Sequence, residues 1–215
     1  MNWQQQMSAA DNALAQGNLP VAEYLFWQAL KLAESFGPYS AQMTETAERL
    51  SDVLVRQSKF AEAEDLLLRL AEVVNSGQMQ NRSGGSAKQR SANTMLKLAE
   101  VLYAQGKYDR AEPFGLSALK AYEANFGAHH PETARVAGNV AYIYHASGKV
   151  HDAESLYQRA LAVKSKGPSY DAEAMNLMQS YASLLRAMHR DDEAEHLMRC
   201  VQGLQSGNWT VYDGG

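Results

Sequence analysis

The chain has 215 residues, 46% of them hydrophobic and 20% charged, which is enough apolar content for one continuous core and too much for an extended disordered protein. A net charge of -4 and a pI near 5.9 argue against a nucleic-acid binder, which needs surplus Lys and Arg to displace counterions from phosphates. The single cysteine, Cys200, cannot form an internal disulfide, no window reaches about 18 consecutive apolar residues, and the opening MNWQQQMSAADNALAQG lacks the basic and apolar regions of a secretory signal. The expectation is a reducing, cytoplasmic compartment with no membrane contact.

Apolar residues at three- and four-residue steps predict ten helices in chain order, over about 3–16, 19–36, 39–57, 60–76, 89–105, 108–126, 131–147, 150–165, 170–188 and 191–205. A repeat pairs them. Ala-Glu recurs at Ala22-Glu23, Ala63-Glu64, Ala111-Glu112, Ala153-Glu154 and Ala194-Glu195, so the alanines are 41, 48, 42 and 41 residues apart. Five residues before each alanine stands Gly17, Ser58, Gly106, Gly148 or His189, which marks a turn between two helices. The chain therefore reads as five helical hairpins over about 3–38, 39–76, 89–127, 131–166 and 170–205, stacked in one domain, with an extended tail at 206–215.

Small residues let the helices approach one another: Ala10, Ala99, Ala141 and Ala182 on first helices, with Ser51 at the matching place, and Ala29, Ala118 and Ala160 on second helices. The long 48-residue interval is absorbed by NSGQMQNRSGGSAKQRS, residues 75–91, whose Ser, Gly, Asn and Gln content reads as a flexible surface loop. The segment GAHHPETA, residues 127–134, has two adjacent histidines and reads as a joint. Gly127 suits the left-handed end of one helix, and Pro131 opens the next, where a missing N–H costs nothing.

The run GKYDRAEPFGLSALKAYEANFGAHHPETARVAGNVAYIYHASGKVHDAESLYQRALAV resembles the tetratricopeptide repeat, in the roughly 42-residue variety of kinesin light chains and many bacterial relatives. The resemblance covers about residues 3–205. It implies an all-α, right-handed superhelical solenoid of five hairpins that binds other proteins and is not an enzyme. No heptad coiled-coil region precedes the repeats, so kinesin light chain itself is a poor match. Gly115 and Asp191 depart from the pattern, where larger apolar residues are usual.

Chemistry has little foothold in this sequence. RSGGSAK lacks the flanking strand and the spacing of a phosphate-binding loop, and the adjacent side chains of His129 and His130 diverge, so no metal, cofactor or catalytic site is expected. The recurring glutamates fall in first turns of second helices, where the helix dipole favours negative charge, and read as solvated helix starts.

The expected site is instead the groove lined by the first helix of each hairpin, with Arg49, Asn93, Lys97, Tyr103, Arg135, Asn139, Tyr142, His145, Asn176, Gln179 and Arg186 as candidate peptide-binding residues. By the family resemblance, an Asn at the place of Asn139 hydrogen-bonds a ligand backbone. Asp11, Glu45, Glu48 and Asp52 make the first half of the groove acidic. Lys97, Arg135, Arg186 and a partly charged His145 make the second half basic, so a partner would set an acidic segment there. Leu197, Val201 and Leu204 read as an outer apolar stripe needing cover, either by Trp209, Val211 and Tyr212 of the tail or by a second copy of the chain. The reading is a non-enzymatic adaptor for a peptide or protein. A self-assembling structural protein and a peptide-sensing regulator stand as alternatives, and the acidic first half of the groove speaks against an RNA binder.

Overall fold

A computed structural model describes residues 2–37, 40–75, 84–164 and 172–206. It contains ten α-helices: α1 (Trp3–Ala15), α2 (Leu19–Ala33), α3 (Ala41–Arg56), α4 (Phe60–Asn75), α5 (Gly84–Ala104), α6 (Tyr108–Phe126), α7 (Pro131–Ala146), α8 (Val150–Lys164), α9 (Ala172–Ala187) and α10 (Asp191–Ser206). One 3-10 turn, Glu34–Phe36, extends α2. There is no strand among the described residues. The helices fall into two compact units, Met1–Ala121 and Tyr122–Gly215. The expected tail from residue 207 onward, with Trp209, Val211 and Tyr212, lies outside the described residues. So do residues 76–83 of the expected loop.

Helix starts follow local chemistry. Asn2 and Gln5 form a reciprocal capping box on α1, and the Ser40 hydroxyl accepts from the Met43 N–H at the start of α3. Helix ends use one device five times. Gly17, Ser58, Gly106, Gly148 and His189 all take left-handed backbone, with φ of 73°, 60°, 74°, 78° and 60°. At each, the residue after the turn donates its N–H five residues back, as Lys59 does to Leu54 and Lys107 to Leu102. These are Schellman ends, which satisfy the last carbonyls of the helix and reverse the chain. The expected turn residues are the turn residues. One boundary differs from expectation: α5 begins at Gly84 rather than near 89, because Ala87, Lys88, Gln89 and Arg90 are good helix formers behind a poor Gly-Gly-Ser start.

Packing within each hairpin rests on the predicted small residues. Ala10, Ala29, Ala99, Ala118, Ala141, Ala160 and Ala182 are fully buried, and Ser51 nearly so. Around them lie Phe26, Leu50, Leu54, Leu67, Leu98 and Leu102 in the first unit, and Tyr157, Met178, Leu184 and Leu185 in the second. Each such side chain contributes roughly 1.5–3 kcal/mol by leaving water. Leu197 and Val201, expected on the outside of the last hairpin, are only 2% and 1% exposed. They share a stripe with the buried Ala194, while Glu195, Arg199 and Gln202 are exposed.

Successive hairpins are also joined by three of the five recurring glutamates, Glu23, Glu64 and Glu154, which are not the solvated residues expected, whereas Glu195 is exposed. Glu23, Glu64 and Glu154 have side chains only 14%, 10% and 15% exposed. Each holds the cation that follows the left-handed turn of the next hairpin. Glu23 binds Lys59 at 2.7 Å and accepts from the Gln57 amide at 2.7 Å. Glu64 binds Lys107 at 2.7 Å and Arg110 at 2.8 Å, and accepts from Gln105 at 2.8 Å. Glu154 pairs with Arg190 and accepts from the Tyr181 hydroxyl at 3.1 Å. The Glu64 carboxyl is held below its ordinary range, the Lys107 hydrogen bond outweighing the effect of burial. The charge is kept because its partners arrive with the neighbouring turn.

The joint in GAHHPETA folds as expected, with one addition. Gly127 has φ 92°, and Pro131 is the first residue of α7. His130 is the N-cap of that helix: its Nδ1 accepts from the Glu132 N–H at 3.2 Å, and its ring stacks on Phe126 at 4.9 Å. His129 stays exposed.

Candidate functional site

In the first compact unit, α1, α3 and α5 bring the candidate residues into a charged strip. Arg49 lies 3.5 Å from Asp11, and Lys97 reaches Asp52 at 2.6 Å and Glu100 at 3.6 Å. Asn93 accepts a hydrogen bond from Gln89 at 2.9 Å. The ring of Tyr103 is exposed enough to touch a ligand and rests against Tyr108, with centroids 5.5 Å apart. Arg49 and Lys97 are therefore committed to carboxylates of the same unit, and the expected division into acidic and basic stretches is partly cancelled here. Burial tends to lower the Lys97 pKa, but Glu100, Asp52 and Glu48 outweigh it and raise the value overall.

Glu48 sits in the middle of this strip. Its Oε1 is buried with no hydrogen-bond partner, and burial, reinforced by Asp52 and Glu45 against the pull of Lys97, pushes its pKa from 4.5 to about 7. Near neutral pH it holds a proton much of the time, so the strip carries less negative charge than its composition suggests.

In the second unit, α7 presents Arg135, Asn139 and Tyr142 along one stripe, beside a fully buried face of Val136, Ala137, Val140 and Ala141. Gly138 allows α9 to come close: a Cβ there would meet the Leu177 side chain at 3.0 Å. On α9, Asn176, Gln179 and Arg186 are all exposed. Arg135 pairs with Glu132 one turn away, whereas Arg186 has no ion-pair partner among the described residues.

His145 does not join that stripe. At about 100° per residue it is turned roughly 60° from Tyr142, toward α8, where its Nδ1 lies 3.3 Å from the Tyr157 hydroxyl. Burial lowers its pKa from the ordinary histidine value, so it contributes less positive charge near neutral pH than expected. It belongs to an aromatic cluster in which Tyr157 meets Tyr142 edge-on at 5.7 Å and stacks on Tyr181 at 5.6 Å. Tyr142 is thus anchored from behind and half-buried. Cys200 is buried, which raises its pKa. Among the described residues, no group of three or more His, Cys, Asp or Glu side chains is placed to hold a metal ion, and no helix is long and apolar enough to cross a membrane.

Hairpins repeating at intervals of 41 to 48 residues and presenting polar stripes from their first helices define a helical-repeat interaction scaffold. Residues 90–166 match the model of the tetratricopeptide repeat family, and solved structures similar to the whole chain have TPR-like repeats. No curated protein sequence matches it. Its fold is similar to that of a putative kinesin light chain from Podosopora anserina with nearly identical TPR-like repeats (17% identity, TM-score 0.77, 95% of this chain and 94% of that one). It is also similar to BtubC (BKLC) from P. vanneervenii (19% identity, TM-score 0.79, 95% and 80%). A third similar structure is the Rap conjugation gene regulator of plasmid pLS20 in complex with the Phr* peptide (12% identity, TM-score 0.67, 95% and 53%). At these identities the likeness is one of fold, a fold that is typically a non-enzymatic scaffold for protein interaction.

Proposed function

We propose that the chain is an adaptor that binds an extended peptide segment of another protein along the first-helix stripes, with the second compact unit as the principal site. The observation that carries this reading is the stripe of Arg135, Asn139 and Tyr142 on α7, with Asn176, Gln179 and Arg186 exposed on α9. Amide side chains can satisfy the peptide backbone, a back-supported Tyr ring can hold an apolar side chain, and two guanidinium groups can take carboxylates. The peptide complex of the Rap regulator supports the reading by analogy of fold alone.

The partner segment is acidic. With the His145 pKa lowered by burial, positive charge in the second unit's stripes rests mainly on Arg135 and Arg186, and Arg186 has no ion-pair partner among the described residues to displace. Arg49, Asn93, Lys97 and Tyr103 of the first unit belong to the same proposal, contributing hydrogen bonds and a ring rather than uncommitted charge. The test is selection of a displayed random dodecapeptide library on the full chain and on the Arg135→Glu, Arg186→Glu double variant. Enrichment of Asp- and Glu-containing peptides on the first, reduced at least tenfold on the second, is expected; equal enrichment on both would remove the reading.

A further inference from the structure

A cavity of about 340 Å³ opens in the first compact unit between α2 and α4, over the start of α3. Its walls are apolar: Trp27 and Leu30 of α2, Met43 and Ala47 of α3, and Leu66 and Leu70 of α4. It is not part of the charged strip. At about 100° per residue, Met43 and Ala47 lie on the opposite face of α3 from Glu45, Glu48, Arg49 and Asp52.

Two features suit this cavity to a ligand. Trp27 is 40% exposed, a large ring on a surface that a monomer has reason to cover, and Tyr24 beside it at i-3 is more exposed still. The mouth carries Glu34, Glu62, Asp65 and Arg69. Asp65 and Arg69 neutralise each other at 2.9 Å, whereas Glu34 and Glu62 have no ion-pair partner among the described residues. An apolar floor of this size, at the low end of ligand pockets, holds one or two side chains. Glu34 and Glu62, both exposed at the mouth, favour a cation there and repel an acidic segment.

We infer that this cavity is a second peptide-docking site, separate from the first-helix stripes, for a partner segment that inserts one bulky apolar side chain and sets an adjacent Lys or Arg against Glu34 and Glu62. The two sites have opposite charge preference, so one chain can hold an acidic segment and a basic-apolar segment at once.

The probe is a pool of defined dodecapeptides, each with one Leu, Met, Phe or Trp flanked by Lys/Arg, by Asp/Glu or by Ser, presented to the full chain. Leu66→Arg fills the floor. Glu34→Lys with Glu62→Lys reverses the mouth at two exposed positions that leave the core intact, which far-UV ellipticity checks. Expected is enrichment of the basic-flanked peptides on the unaltered chain, reduced at least tenfold by either variant and unchanged by Arg135→Glu, Arg186→Glu. No preference for basic flanks, or a preference that survives both cavity variants, overturns the inference. Concentration-dependent self-association abolished by Glu34→Lys, Glu62→Lys would assign the cavity to a second copy and overturn it too.

Discussion

Replacing Glu48 by Gln should make the protein more stable at alkaline pH and change little in mild acid. In the folded chain the Glu48 pKa moves from 4.5 to about 7, because burial of a carboxylate among Asp52 and Glu45 costs more than Lys97 returns. A pKa raised on folding adds stability below the unfolded value, where both states are protonated, and that stability is lost as pH rises through the folded value. At about 1.36 kcal/mol for each pH unit between the two, the loss from pH 4.5 to pH 8 comes to roughly 3 kcal/mol. Gln is nearly isosteric with the protonated acid and does not ionise. Urea unfolding of both proteins between pH 4.5 and 8, followed by far-UV ellipticity, isolates this group, since all other titrations cancel in the difference. The variant's advantage should grow steadily across that range. Parallel stability curves would show that Glu48 ionises freely and that its surroundings are not as described.

Other consequences follow from the turns and clasps. Ser58→Gly and His189→Gly should each stabilise by about 1 kcal/mol, since both positions hold left-handed backbone that costs a side-chain-bearing residue, and Gly106→Ala should destabilise similarly with nothing to clash; thermal or urea midpoints check all three. Glu64→Gln should cost about 1–2 kcal/mol through weakened bonds to Lys107, Gln105 and Arg110, whereas exposed Glu195→Gln should stay within about 0.5 kcal/mol; equal effects would deny the clasp. The His145 ring should titrate below 6.5 by NMR, and protonating it should cost stability as pH falls through its folded value.

Helix positions and turns were legible because they depend on neighbouring residues. Apolar spacing marks a helix, and Gly17, Gly106 and Gly148 mark left-handed ends that Ser58 and His189 adopt by register. The glutamate clasp was not read because its partners lie about 35–45 residues away, although Lys59, Lys107, Lys149 and Arg190 recur directly after the turns and carried the signal. Composition shows the charge that each first helix carries, but not that Asp52 holds Lys97 or that burial lowers the His145 pKa. The register of His145 on α7 turns it toward Tyr157, a contact that only the packed pair of helices reveals. The cavity beside Trp27 forms from three helices whose apolar residues each read as ordinary core.

The account is tested most directly by amide chemical-shift mapping on the isotope-labelled full chain, titrated with the acidic dodecapeptide most enriched in the selection. It predicts the largest shifts at Arg135, Asn139 and Tyr142 on α7 and at Asn176, Gln179 and Arg186 on α9, all lost in the Arg135→Glu, Arg186→Glu variant. Shifts confined to other helices, or unchanged by that variant, would contradict it.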